Sequence, residues 1–262
     1  MIRVGTHVQR ATTDLVAREE PLEIQLGATS LAVTMRTPGH DEELALGLLV
    51  SEGIISMAAD VLAIHHDRLA AVVDADDNVL RVHLRPTIAV DLTALRRNLY
   101  SNASCGLCSK TTIAQALRTS PPLDDDARFT AAFFHALPAA LQTQQIAFAD
   151  TGGLHAAALV SPTGTLLVTR EDIGRHNAVD KVIGWALQRD RLPLLGHTLL
   201  VSGRISYEIA QKALAARIPA IAAVSAPSSL AVEFATAAHM LLIGFLRSDR
   251  LNAYGDTARL LK

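Results

Sequence analysis

Apolar and polar residues alternate from Pro21 to Thr37, where LEIQL and SLAVTMRT flank a Gly-Ala-Thr turn, and this period of two predicts a β-hairpin. A helical pattern follows. DEELALGLLVSEG comes after a Pro38-Gly39-His40 turn; Asp41 or that turn is the expected cap, Glu42 and Glu43 sit where the helix dipole favours negative charge, and Gly53 closes the element. LAAVVDADDNVLRVHLR predicts a second hairpin about Asp76-Asp77-Asn78, so the first 100 or so residues read as α+β. TSPPLDDDAR, Thr119 to Arg128, joins two prolines to an acidic run and is expected to be a linker that adds nothing to a core.

After the linker, FTAAFFHALPAALQTQQ predicts a helix kinked at Pro138, and IAFADTGGLHAAALVSPTGTLLVTRED predicts strands about a Pro-Thr-Gly turn. IGRHNAVDKVIGWALQRD, RISYEIAQKALAARI and SSLAVEFATAAH predict helices that alternate with the short apolar strands HTLLVSG, PAIAAVSA and MLLIGFLR, the last strand expected. Short apolar runs between amphipathic helices imply a mostly parallel sheet with helices on its faces. The expected fold class is α/β: an α+β N-terminal part over residues 1–120 and a C-terminal α/β layered domain over 121–262.

Composition narrows the function classes. Half of the 262 residues are hydrophobic and 19% are charged, which excludes a disordered chain. Lys and Arg number 24 against 26 Asp and Glu, so net charge gives no reason to expect nucleic acid or an anionic membrane as partner. The first residues lack the apolar core of a signal peptide and no window approaches about 18 uninterrupted apolar residues, so a soluble, cytoplasmic protein is expected.

Three places carry candidate chemistry. The only two cysteines, Cys105 and Cys108, stand in SNASCGLCSKTTIAQALRTS, where Asn102 or Ser104 can cap a helix and Lys110 is close by. A helix N-terminus lowers a thiol pKa, which suits disulfide exchange, persulfide formation or metal ligation. Structural zinc within one chain is disfavoured because a second ligand pair is missing. A zinc site shared across a dimer, or two small buried residues at a turn, remain alternatives. The second place is TGGLHAA with REDIGRHNAVDKVIG: Glu171, Asp172, Arg175, His176 and Asn177 cluster at a strand-to-helix turn, with His155 on the preceding strand. Its bland alternative has Asp172 capping the helix and Arg175 pairing with Asp172 or Glu171. The third is a pair of turns, Val201 to Arg204 and Ser225 to Ser229, which with Arg204, Arg247 and Arg250 suit an anionic ligand such as a nucleotide diphosphate. Neither a Walker pattern nor Gly-x-Gly-x-x-Gly is present, which disfavours an ordinary ATPase or dinucleotide dehydrogenase.

Taken in order, EEPLEI, RTPGHDEELALG, SCGLCSK, TGGLHAA, REDIGRHNAVDKVIG, SGRISYEIAQKA, SAPSSLAVE and GFLRSDRLNAY resemble the formate dehydrogenase accessory sulfurtransferases, the FdhD family, over nearly the whole chain. The resemblance implies a sulfurtransferase that accepts persulfide sulfur from a cysteine desulfurase. The sulfur then passes to the molybdenum of bis(molybdopterin guanine dinucleotide), which formate dehydrogenase needs for activity. It places the persulfide on Cys105, with Cys108 auxiliary, and puts the cofactor-binding stretch on Phe245, Leu246, Arg247, Ser248, Asp249 and Arg250. The guanine-nucleotide cofactor is then a bound substrate, no structural metal is expected, and two large anionic arms suggest a homodimer. The family usually has Gly after the second cysteine; this chain has Ser109.

The family is also similar to the cytidine deaminase fold. The zinc deaminase pattern H-x-E…P-C-x-x-C is absent, since Ala156-Ala157 follow His155 and Ser228-Ser229 follow Pro227, so deamination is not expected. Two other functions stay open at this point. A non-covalent molybdenum-cofactor chaperone would need neither cysteine, and a thiol-disulfide redox protein would cycle a Cys105–Cys108 disulfide.

Overall fold

The computed structural model describes residues 2–4, 9–11, 13–67, 78–90 and 109–261. A short ribbon, β1 (Ile2–Val4) with β2 (Gln9–Ala11), opens the chain. The first expected hairpin is present. β3 (Glu20–Leu26) and β4 (Thr29–Arg36) pair antiparallel about a turn in which Gly27 takes φ +58°, a value that favours glycine. β5 (Val61–His66) and β6 (Val79–Leu84) complete a four-stranded sheet in the order β4-β3-β6-β5. β6 is the second limb of the other expected hairpin; the first limb falls on residues outside those described. The antiparallel partner of β6 is β5, and β6 runs parallel to β3.

α1 (Asp41–Ser51) lies on this sheet. Its cap is the turn and not Asp41: His40 is the N-cap residue, in the left-handed region at φ 59° and without a side-chain cap bond. The Asp41 carboxylate is instead gripped by the Arg36 guanidinium, Nε at 3.0 Å and Nη2 at 2.9 Å. α1 is buried on nearly every face, because its other side meets α6 (Arg175–Leu187).

That crossing is closer than ordinary side chains permit. A Cβ on Gly47 of α1 would stand 1.8 Å from the Asp180 carbonyl oxygen, and one on Gly184 of α6 would stand 1.8 Å from the Glu43 carbonyl oxygen. The helices run antiparallel, each offering a glycine to the other's backbone. Charged groups close the two ends: Arg170 holds Glu43 at 2.6 and 2.8 Å, and Lys212 holds Asp180 at 2.8 and 2.9 Å, with the Ser51 hydroxyl also donating to Asp180 at 2.8 Å.

The C-terminal half has the expected layers in a mixed sheet. Six strands lie in the order β13-β12-β11-β10-β8-β9: β8 (His155–Val160), β9 (Leu166–Asp172), β10 (Thr198–Val201), β11 (Ala220–Ala223), β12 (Leu241–Gly244) and β13 (Asn252–Gly255). Only β10, β11 and β12 are mutually parallel; β8, β9 and β13 run antiparallel to their neighbours, and β13 follows what was expected to be the last strand. Successive residues point to opposite faces. Ala157, Leu159, Leu199, Val201, Ile221, Ala223 and Leu242 join the core under α1, α6, α7 (Tyr207–Ala215) and α8 (Ser229–Ala237). Ala156, Ala158, Val160, Leu200, Ala220, Ala222, Leu241 and Ile243 join a second core with Phe134, Leu137 and Leu141. Both faces are dry, which is why these strands read as unbroken apolar runs.

Three other expectations are corrected. The segment around Pro138 is two short helices, α3 (Ala131–His135) and α4 (Leu137–Gln142), with the proline in the first turn of α4, where its missing N–H costs nothing. IAFADT is not a strand but α5 (Ile146–Thr151), whose first turn is held by Glu171 accepting from the Ala147 and Phe148 amides at 2.9 and 2.7 Å. The 119–128 stretch does build core: Leu123 is buried, its N–H reaches the Ala238 carbonyl at 3.0 Å, and Asp125 pairs with the buried Arg259 at 2.8 Å. Arg259 stands just before β14 (Leu260–Leu261), which pairs parallel with β7 (Phe129–Thr130).

Candidate functional site

The chain directions bring five connections to one edge of the large sheet. β10, β11 and β12 end there, at Ser202-Gly203-Arg204, Val224 to Ser228 and Phe245 to Arg250. β8 is antiparallel to β10, with Ala157 opposite Val201, so β8 begins there at His155; β9 ends there at Asp172, opposite His155. Carboxyl ends of parallel strands are where open α/β sheets hold ligands.

Gly244 is required by this arrangement, since a Cβ would come within 2.7 Å of the Pro227 ring. Phe245 follows in the left-handed region at φ 53°, which turns the chain out of the sheet and leaves its ring exposed. Leu246 turns back into the second core and is fully buried, while its N–H bonds the Ala223 carbonyl at 3.0 Å. The Arg247 guanidinium donates to the carbonyls of Val224 and Leu246, both at 2.7 Å, and thereby ties the loop after β12 to the loop after β11. Ser248, Asp249 and Arg250 are exposed beyond it. Of the six expected cofactor residues, then, Leu246 and Arg247 hold the loop, and Phe245 with residues 248–250 presents its outer surface.

The two Ser-rich turns are joined to each other. Ile205 donates to the Ala226 carbonyl at 3.1 Å and Ser228 donates to the Ile205 carbonyl at 2.9 Å. The Ser228 hydroxyl caps α8 by accepting from the Ala231 amide, and the Ser202 hydroxyl accepts from the Ala156 amide at 2.9 Å.

On the β8 and β9 side, Asp172 neither caps α6 nor pairs with Arg175. It is wholly buried and accepts from Lys181 at 2.7 Å, the Gly174 amide at 2.8 Å, the Asn177 amide group at 3.0 Å and the Thr37 amide at 3.2 Å. Glu171 is committed to α5. Arg175 is therefore left over: its Nε is buried without a hydrogen-bond partner, and Arg204 stands exposed across the edge. Burial, then Arg175 and Arg204, hold His155 below the ordinary imidazole range. Burial, then Arg175 and Lys212, push His176 down to about 4, against the opposing pull of Glu208 at 4.0 Å. Both rings are neutral at pH 7, and His176 Nε2 lies 3.4 Å from the Ser206 hydroxyl.

Cys105 and Cys108 lie outside the described residues. The helix expected after them is α2 (Ser109–Thr119), which begins at the residue following Cys108. Among the described residues no group of three His, Cys, Asp or Glu side chains is placed to hold a metal ion, and no helix is long and apolar enough to cross a membrane. A cleft of about 540 Å³ that the sequence did not signal lies by the start of α1, lined in part by Arg18, Glu20, Arg36, His40, Glu42 and His66. Most of its charge is already paired, Arg36 with Asp41 and Glu20, Arg18 with Glu20.

Residues 17–261 match the FdhD/NarQ family. The chain is 47% identical over 262 residues to a protein of Mycolicibacterium paratuberculosis named sulfur carrier protein FdhD, covering 99% of this chain and 96% of that one. Proteins of the same name from Streptomyces coelicolor and Saccharolobus solfataricus are 46% and 40% identical over 265 and 263 residues, each covering 99% of this chain and, respectively, 93% and 96% of theirs. A crystal structure from Desulfotalea psychrophila, assigned as a formate dehydrogenase accessory protein, superposes with a TM-score of 0.77 at 23% identity, covering 100% of this chain and 97% of that one. At that identity the superposition speaks for the fold.

Proposed function

The chain belongs to the FdhD/NarQ family, and from that membership we propose that it is a sulfur carrier in which Cys105 holds a persulfide on its way to a molybdenum cofactor. What carries the proposal is the family match over residues 17–261 in a chain whose only cysteines are three apart.

In the loading step the Cys105 thiolate attacks the outer sulfur of a cysteine desulfurase persulfide. The donor's S–S bond breaks, the desulfurase cysteine leaves as a thiolate, and a Cys105 persulfide forms. In the delivery step the outer sulfur leaves Cys105 as a formally neutral atom, the S–S electron pair stays on Cys105, and the accepting molybdenum centre supplies the pair that completes the new bond. Bis(molybdopterin guanine dinucleotide) is substrate here, held at the sheet edge by the Phe245–Arg250 loop, with Phe245 and residues 248–250 facing it and Leu246 and Arg247 as the loop's anchors. The client is a formate dehydrogenase, and the protein works in the cytoplasm as a homodimer, one cofactor arm to each subunit. The C-terminal layers follow the cytidine deaminase arrangement without its zinc ligands.

The test is mass spectrometry of the intact protein after incubation with a cysteine desulfurase and cysteine. The wild type gains one sulfur atom, mapped to the Cys105 peptide, while Cys105→Ala gains none and fails to activate formate dehydrogenase. Undiminished activation by Cys105→Ala would remove the proposal.

A further inference from the structure

Like Arg247 and Arg250 on the loop after β12, Arg175 and Arg204 beside the end of β10 meet no carboxylate within ion-pair distance among the described residues. Among the described residues neither the Arg175 nor the Arg204 guanidinium has a hydrogen bond or an ion pair, and Arg175 Nε is buried while bare. A buried donor without an acceptor is a standing cost that native structures rarely carry without a reason. No nearby carboxylate pairs with it: Asp172 is saturated by four other donors, Glu171 caps α5, and Glu208, which feels the Arg175 charge, forms no ion pair with it and lies against His176. Gly203 precedes Arg204 in the chain, and a Cβ on it would lie 3.4 Å from His155 Nδ1 and 3.9 Å from Arg175 Cβ, so His155 and Arg175 both come up against the turn that carries Arg204. His155 lies close enough to feel both guanidinium charges and His176 close enough to feel that of Arg175, and a neutral imidazole can both donate and accept.

We propose that Arg175 and Arg204, assisted by His155 and His176, form a seat for a tetrahedral oxyanion at the β8–β10 end of the edge, separate from the Phe245–Arg250 loop. The shared chemistry is that of a phosphate or an oxo-metalate. The proposal deepens the cofactor assignment above and rests on it for the ligand's identity. β10 and β12 are two strand spacings apart, roughly 9–10 Å. A nucleoside lying on the loop after β12 would place its diphosphate over the end of β10, with the terminal phosphate between the guanidinium groups. Planar guanidinium forks suit such oxygens.

Calorimetric titration of the full-length protein with GDP, guanosine, inorganic pyrophosphate and molybdate tests this, using Arg175→Gln, Arg204→Gln and, at the far end of α6, Arg189→Gln as control. Each edge variant is expected to weaken GDP binding about ten- to a hundred-fold, leaving guanosine binding as in the wild type. Arg189→Gln binds GDP as the wild type does. Because both arginines are unpaired, the melting temperature should not fall, whereas loss of a structural arginine would lower it. If Arg175→Gln misfolds, Arg175→Lys keeps the charge without the fork and should retain part of the affinity. GDP binding unchanged in both edge variants overturns the seat and leaves the cofactor assignment standing. Pyrophosphate or molybdate binding that depends on both arginines, without any GDP binding, keeps the seat and removes the guanine-nucleotide assignment; which of the two anions binds identifies the source. A wild type that binds none of the four overturns the seat.

Discussion

Lys181 and Arg175 stand six residues apart on the same helix, and their surroundings differ in kind. Lys181 is 1% exposed, yet its ammonium reaches the Asp172 carboxylate at 2.7 Å and the Thr37 carbonyl at 2.8 Å. Arg175 is partly exposed, and among the described residues its guanidinium makes no hydrogen bond or ion pair. The same contrast separates two regions. Around the α1–α6 contact the buried Arg36 and Lys181 and the part-buried Arg170 and Lys212 each meet a carboxylate at 3.0 Å or less. At the sheet edge Arg175 and Arg204 meet none among the described residues. Buried charge that is fully paired serves to fix how two layers fit, and removing one partner strands the other. Charge left unpaired beside neutral histidines contributes little to folding and is available to a ligand.

The sharpest way to break the paired region is to separate its helices. Gly47→Ala or Gly184→Ala puts a carbon 1.8 Å from a backbone carbonyl oxygen, which neither helix can avoid by rotating a side chain. A loss of roughly 4–5 kcal/mol is expected, read as a fall in the urea midpoint or as failure to fold. A near-wild-type midpoint would mean that the crossing is not tight. Lys181→Met comes next. It leaves Asp172 buried with three neutral donors, and about 3 kcal/mol should be lost by the same measurement.

The sequence showed these regions unequally. Strands β8, β10, β11 and β12 were legible because both of their faces are dry and their apolar runs unbroken; α6, α7 and α8 were legible from their period. The cluster of His155, Arg175, His176 and Arg204 was legible as residues around turns that follow strands. Its pairing was not, because whether Asp172 takes Arg175 or Lys181 depends on where Thr37 and Met35 of the N-terminal sheet arrive, more than 130 residues away in the chain. The α1–α6 crossing was hidden for the same reason: a glycine inside a helix looks like a weakness until the opposing backbone is known. Leu123 sat in a segment of loop composition, and only its contact with the end of α8 makes it core. β5 and α5 are each six residues long, too short for a period to decide between strand and helix.

Smaller effects sharpen the contrast at the edge itself. Glu171→Ala removes the acceptor for two amides at the start of α5, a loss of about 1–2 kcal/mol that should appear first as faster hydrogen exchange at Ala147 and Phe148. Slow exchange in that variant would show that α5 needs no anchor from β9.

The smallest is a pH effect carried by His176. Its folded-state pKa, about 4, lies below the 6.5 of the unfolded chain, so the folded protein holds the neutral ring and the unfolded chain takes up the proton first. The stabilisation is complete above pH 6.5 and is lost as the pH falls from there towards 4. With the side chain 36% exposed, solvent screening cuts the full shift to about 1 kcal/mol. His176→Gln should remove that share of the slope of urea stability against pH over this window. The neighbouring Arg175 sharpens the test, because after burial it contributes most to the depression by repelling the proton. In Arg175→Gln the slope should shrink without vanishing, since burial remains. An anion seated at Arg175 should shrink it too, so molybdate or pyrophosphate added to the wild type would bring its pH profile towards that of Arg175→Gln, whereas a profile indifferent to both anions would separate the histidine from the ligand.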